Sequence, residues 1–159
     1  MCFAWWQKLL LEERFEIVNN HKGTIEVCAA VIRRNGKLLI TGRKKGTALE
    51  GFMEFPGGKV EKGESAASAL KRELKEELAL TRVIVMDEMG LAVAEGKTHF
   101  YRIHFLRVIL PEDAPEPCGA EGQEVKWIAF SDVDKVKFLP ADREFASYLA
   151  LVAGKEKNF

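Results

Sequence analysis

The sequence predicts an α/β fold in which a mixed β-sheet lies between helices. Three observations carry this expectation. Strand-like and helix-like stretches follow one another in an order that is neither strictly alternating βαβ nor all-β. Asn35-Gly36, the strongest short hairpin signal, separates two runs rich in β-branched and apolar residues. Residues 64–78 contain no Gly or Pro and are dominated by Ala, Leu, Glu and Lys, a helical composition.

Taken in order, residues 24–34 read as the first strand and residues 37–43 as the strand returning from the Asn35-Gly36 turn. A loop over 46–51 leads to a short apolar piece, 52–55, and then to the turn Phe55-Pro56-Gly57-Gly58-Lys59. Gly63, Glu64 and Ser65 supply helix start signals for 64–78. Residues 82–93 and 98–110 read as two strands around Glu95-Gly96-Lys97, the second alternating through Phe100, Ile103 and Phe105. A loop over 111–117 precedes a last strand, 125–130, with Trp127 expected in the core. Ser131-Asp132 opens a short turn or helix, and a final helix begins at Pro140 and stops at Gly154.

The helix over 64–78 is where the chemistry concentrates. At about 100° per residue, Ala67, Leu70, Leu74 and Leu78 fall within one arc, the expected buried stripe. Glu73, Glu76 and Glu77 occupy the arc beside it, while Ser68, Lys71 and Lys75 lie roughly opposite the leucines. Arg72 borders the acidic arc within reach of Glu76. Alternating Glu and Lys usually mark a solvated face. Here no lysine interrupts the acidic arc, and like charges three or four residues apart repel by about 0.2–0.5 kcal/mol per pair. Such crowding is relieved by a hard cation with all-oxygen preference, Mg²⁺ or Mn²⁺. The glycine turn before the helix lets backbone approach a ligand closely, with Lys59 beside it.

These residues resemble the signature of the Nudix hydrolases, G-x5-E-x7-R-E-U-x-E-E-x-G-U with U aliphatic. It is matched at Gly58, Glu64, Arg72, Glu73, Leu74, Glu76, Glu77 and Leu80. Ala79 replaces the second motif glycine, at a position expected to be left-handed. The resemblance runs over about 24–152 and implies the Nudix α/β/α sandwich. Within the family the likeness is to MutT-type nucleoside triphosphate pyrophosphohydrolases, including relatives acting on CTP and modified cytidine nucleotides. It rests on the segments MEFPGGKVEKGES, AEGQEVKW and FLPAD.

What the resemblance implies about the site is as follows. Glu73, Glu76 and Glu77, with the carbonyl of Gly57, correspond to groups that hold Mg²⁺, and metals shared with phosphate oxygens stabilise an in-line displacement and activate water. Glu121 matches an additional catalytic or metal-associated glutamate, or is a surface loop acid. Arg43 and Lys59 match phosphate-contacting positions, or are solvated cations. Gly58, Glu64 and Arg72 are expected to orient loop and helix. Asp142 corresponds to a residue facing the nucleobase. As an ionised acceptor it would favour bases that present an amine, such as cytosine, adenine or guanine; alternatively it is an acid suited to a helix N-terminus.

At 159 residues, 47% hydrophobic and 30% charged, the chain has material for one core, and its zero formal net charge gives no basic footprint for a nucleic acid polymer. A small molecule is the partner this composition suits, and the resemblance implies a nucleoside triphosphate. Cys2, Cys28 and Cys118 are odd in number and widely spaced, which fits a reducing cytoplasm rather than a disulfide framework. Residues 1–23 form an aromatic-rich extension (Phe3, Trp5, Trp6, Phe15) ahead of a domain over 24–159. The extension is too short and too charged at Glu12, Glu13 and Arg14 to be a transmembrane span, and it lacks signal-peptide features. Packed, it would be an extra element; exposed, it would suggest a homodimer or membrane-surface contact. Other Nudix substrates stay open, although no proline lies between Pro56 and Pro111, where ADP-ribose families often carry one. A non-catalytic recognition domain is a further alternative, but it would usually lose box glutamates, and all are kept.

Overall fold

The computed structural model describes residues 23–153. The aromatic extension and the expected stop at Gly154 lie outside the described residues. The elements are β1 (Gly23–Arg34), β2 (Lys37–Gly42), β3 (Met53–Glu54), β4 (Gly57–Lys59), α1 (Ala66–Leu78), β5 (Ile84–Glu95), β6 (His99–Ile109), β7 (Val125–Ala129), a 3₁₀ helix (Phe130–Lys135) and α2 (Pro140–Ala153). Asn35 (φ 51°) and Gly36 (φ 72°) both take the left-handed conformation that a tight two-residue hairpin requires, joining β1 to β2.

One mixed sheet results, in the order β3-β2-β1-β6-β5, with β4 added to β1 and β7 to β2. β1 and β6 run parallel from Gly23↔His99 to Ile32↔Val108, while the other pairings are antiparallel. β1 is apolar without interruption from Val27 to Ile32 because both of its faces are covered. Cys28, Ala30 and Ile32 pack with Leu70, Leu74 and Leu78 of α1. Ala29 and Val31 pack with Phe55, Phe105, Phe138, Ala146 and Leu149 on the α2 side. This is the expected α/β/α sandwich. Outside α1, its face of the sheet carries charge instead of leucine: Arg102 holds Glu26 at 2.6 Å, and His104 bridges Glu26 and Glu88 at 2.7 Å each.

Four expectations change. The glycine turn is not a free loop, because Gly57–Lys59 is the strand β4 paired with Val27, Cys28 and Ala29. The buried arc of α1 includes Ala69 in place of Ala67; the helix packs against both β1 and β4, which widens the covered arc. Helix start signals resolve to Ser65 as N-cap, whose Oγ accepts the Ser68 N–H at 3.1 Å. Trp127 is half-buried at the margin of the core. Its indole N–H donates to Glu116 at 3.2 Å and the Arg34 guanidinium stacks 5.4 Å from its ring, since an indole N–H needs a polar partner and β7 is an outer strand.

At the end of α1, Ala79 adopts φ 57°, ψ 22°, and its N–H closes on the Leu74 carbonyl. Leu80 follows into the core, donating to the same carbonyl at 3.1 Å. The turn that the motif glycine serves is therefore built here with a Cβ in the left-handed region. Replacing Ala79 by Gly removes about 1–2 kcal/mol of strain and adds about 0.4–1 kcal/mol of unfolded-state entropy, so Ala79→Gly should raise stability by about 1 kcal/mol, or roughly 2–4 °C in Tm. Thermal or urea denaturation of the two proteins checks it; a neutral or lower midpoint would show that the turn carries no such strain.

Candidate active site

The site is assembled where α1 leans on β4. Backbones meet here so closely that side chains are excluded. A Cβ on Gly57 would stand 2.0 Å from the Cys28 carbonyl oxygen, and one on Gly58 would stand 2.4 Å from the Glu73 carboxylate. Glu73 is thus pressed against the Cα of Gly58. Arg72 fixes it there, donating to Glu73 at 2.7 Å, to Glu64 at 3.0 and 3.2 Å, and to the Lys59 carbonyl at 3.0 Å, with Glu76 at 3.6 Å. One guanidinium ties the helix to the strand before it. Glu76 is exposed, whereas Glu77, on the cavity wall, is half-buried.

Glu121 arrives from the opposite side of the sequence. Its loop is pinned to the carbonyl of Glu77 by the Ala120 N–H at 2.8 Å and the Gln123 Nε2 at 3.0 Å, and buried Gln123 returns its Oε1 to the Glu121 N–H at 3.0 Å. Glu121 pairs with Lys44 at the exit of β2. The preceding residue, Arg43, is directed at Glu54 at 3.1 Å, and its Nε is buried without a partner.

A cavity of about 1580 Å³ opens over these groups, lined among others by Arg43, Glu54, Gly58, Lys59, Glu77 and, farther along, Asp142 and Phe145. Asp142 sits in the first turn of α2, 6% exposed, and its Oδ1 accepts the Phe55 N–H at 2.8 Å. Phe145, one turn on, stacks on Phe105 with centroids 4.0 Å apart, and Gly90 of β5 makes room for it, since a Cβ there would lie 2.5 Å from the ring.

Glu54, Lys44 and Gln123 are the residues that the sequence reading missed. Glu54 lies within the quoted segment, and its position between two core residues, Met53 and Phe55, was the available signal. Nothing in the sequence distinguishes Lys44 from Lys45, or shows that Gln123 is buried.

The NUDIX domain family model matches residues 23–149, which takes in every element from β1 to the second half of α2. The chain belongs to the NUDIX family. An 8-oxo-dGTP diphosphatase of Haemophilus influenzae is 34% identical over 122 residues, 76% of this chain and 88% of the relative. A CTP pyrophosphohydrolase of Escherichia coli is 48% identical over 60 residues, 38% of this chain and 44% of the relative. Among solved structures, the Escherichia coli ORF135 protein superposes with a TM-score of 0.71 at 31% identity, covering 86% of this chain and 96% of its own. MutT of methicillin-resistant Staphylococcus aureus gives 0.67 at 30% identity, covering 82% and 98%. The chain is a Nudix pyrophosphohydrolase.

Nudix hydrolases generally use divalent cations, and the donor set here suits a hard one: a block of carboxylates with no His among them, while the neighbouring Cys28 is kept a thiol by burial and donates to the Gly58 carbonyl at 3.4 Å. Burial, with Glu73, Glu54 and Glu121 adding to it against the opposing pull of Lys44, pushes the Glu77 carboxyl up to about 7. Negative potential is therefore concentrated at this side chain. As the side chains stand, no three His, Cys, Asp or Glu among the described residues converge to hold a metal; Glu73 is turned to Arg72 and Glu121 to Lys44. Burial likewise pushes Asp142 up to about 7 against the favourable Phe55 N–H. A carboxyl at that value changes charge near neutral pH, so Asp142 is an ionised acceptor only on the alkaline side of it.

Both carboxyls sit above their ordinary values of 4.5 and 3.8, so the folded metal-free protein binds more protons than the unfolded chain between those values and about 7. Their contribution to stability is full below about pH 4 and declines as pH rises to about 7, then levels. Were Glu77 to take a divalent cation, affinity for it would move the opposite way, rising up to about tenfold per pH unit below 7 and flattening above, because the carboxyl would have to lose its proton first. Mn²⁺ titrations and urea denaturation from pH 5.5 to 8.5 test both slopes. Glu77→Gln should flatten the metal profile.

Proposed function

We propose that this Nudix hydrolase cleaves a nucleoside triphosphate to the monophosphate and pyrophosphate, with Mg²⁺ or Mn²⁺, in sanitation of the nucleotide pool. The observation that carries the reading is a single cavity that has Glu77, Gly57, Gly58 and Arg43 on its wall and also Asp142 and Phe145. Phosphates and base need such different neighbours within one nucleotide's length. The names of the bacterial relatives, 8-oxo-dGTP diphosphatase and CTP pyrophosphohydrolase, agree with it.

In this reading Glu73, Glu76, Glu77 and Glu121, with the Gly57 carbonyl, hold the cation, which when bound shields the phosphate charge and lowers the pKa of its water. Arg43 and Lys59 meet the phosphates. Support for Arg43 is its buried Nε, a donor awaiting an oxygen. Glu64 and Arg72 hold Glu73 in place, and Gly58 makes room for it. Glu77→Gln should preserve the fold and lower kcat by at least about a hundredfold, more than the loss of an outer-shell partner. Near-normal kcat in the folded variant at saturating Mg²⁺ would sink the catalytic reading, and release of orthophosphate instead of pyrophosphate would exclude the reaction proposed. Glu121→Gln should slow turnover as well. The free thiols of Cys28 and Cys118 agree with a cytoplasmic setting.

Base choice is assigned to Asp142. Oδ1 accepts the Phe55 N–H, and Oδ2 is the oxygen assigned to the base. Ionised, it accepts from an exocyclic amine; protonated, it donates. Substrates with an amine at that edge, guanine (oxidised or plain) and cytosine nucleotides foremost, should outperform UTP. Asp142→Ala should lower kcat/KM for the preferred base by about ten- to a hundredfold while sparing poor substrates. The measurement is kcat/KM for 8-oxo-dGTP, dGTP, CTP, dCTP, 5-methyl-dCTP, dATP and UTP in both proteins. An equal loss across all of them would return Asp142 to its place as a helix-start acid.

A further inference from the structure

Three cations are paired with acids at the site, and their commitments differ. Arg72 is spent on Glu64, Glu73 and the Lys59 carbonyl, and Arg43 on Glu54. Lys44 alone of the three is turned to the Glu121 side, where its ammonium pairs with Glu121 and stands in the field of Glu77 and Glu73. The backbone that carries Glu121 is fixed: its loop is held to the Glu77 carbonyl by two hydrogen bonds and closed on itself through buried Gln123. Both side chains of the pair are part-exposed, and Lys44, a flexible four-carbon stem at the start of the β2–β3 loop, has the longer reach.

We propose that Lys44 is a built-in counter-cation of the metal site: its ammonium neutralises Glu121 and the adjoining carboxylates while the site holds no metal, and it must be displaced before a divalent cation can take Glu121 as a ligand. The proposal rests on the reading of Glu77 and Glu121 as metal ligands. It accounts for the directions of two acids: Glu121 is turned to Lys44 as Glu73 is to Arg72, and no three carboxylates among the described residues converge as they stand. Lys44 is then a positioning residue that sets how much free metal the enzyme needs, since every bound ion first breaks an ion pair.

The test is Mn²⁺ binding to the full chain, followed by the electron paramagnetic resonance of free Mn²⁺, with no substrate present. Lys44→Met keeps the length of the side chain and removes its charge. Lys45→Met removes the same formal charge one residue on, outside the cavity wall, and Lys44→Arg keeps the charge. Lys44→Met should bind Mn²⁺ about three- to tenfold more tightly than wild type, with Lys45→Met and Lys44→Arg within about twofold of it. The metal-free Lys44→Met protein should melt lower than wild type and gain more on addition of Mn²⁺. Equal or weaker Mn²⁺ binding by Lys44→Met than by Lys45→Met overturns the proposal. If instead Glu77→Gln and Glu121→Gln both leave Mn²⁺ affinity at the wild-type value, the metal-site reading itself falls, and the role of Lys44 with it.

Discussion

The contact between the Cα of Gly58 and the Glu73 carboxylate is the constraint from which the site descends. A helix that brings a carboxylate against a strand backbone needs that backbone bare, a cation to hold the acid, and anchorage at both ends of the interface. Gly58 supplies the first, and Arg72 the second, by bridging helix, loop and strand at once. Leu70, Leu74 and Leu78 supply the third, buried against β1. Each of these residue types is dictated by its neighbours, which is why the motif is dense: an acid lacking its arginine would leave the strand, and a glycine with a side chain would expel the acid.

The other half of the cavity obeys a different logic. Here the polar group is buried first and satisfied second. Asp142 gives one oxygen to the Phe55 N–H, so α2 is locked to the β3–β4 link by a side chain rather than by leucines alone. The neighbouring contacts are aromatic: Phe145 lies flat on Phe105 and edge-on to Phe55 at 6.1 Å. The same Phe55 thus reports the position of β4 to the Asp142 end of the cavity. A shift at Gly57 or Gly58 would be felt at Asp142 through two residues.

Much of this was legible in the sequence, for identifiable reasons. The hairpin at Asn35-Gly36, the acidic helix and the Pro140 start are local signals, decided within a few residues of themselves. The family box carried the identities of Glu64, Arg72, Glu73, Glu76 and Glu77. What escaped was decided by distant chain. Gly57–Lys59 has no strand propensity and becomes a strand because β1 offers it an edge. Trp127 reads as core but needs Glu116 for its N–H. Lys44 acquires its meaning only when a loop more than 70 residues later is hung on Glu77, and the charge state of Asp142 depends on how completely α2 shuts out water.

The parallel pairing of β1 with β6 has a consequence in time. Glu26 and Arg102 meet across 76 residues, and Phe55 and Asp142 across 87. Few productive contacts reward the chain until those long loops are closed, so formation of the sheet is expected to be slow relative to the hairpin and the helix. On the ribosome, α1 and β4 can cover one face and one edge of β1 early, but its other face, Ala29 and Val31, must wait for Phe105 of β6 and for α2. The strand best protected in the finished enzyme is thus left half bare during its synthesis.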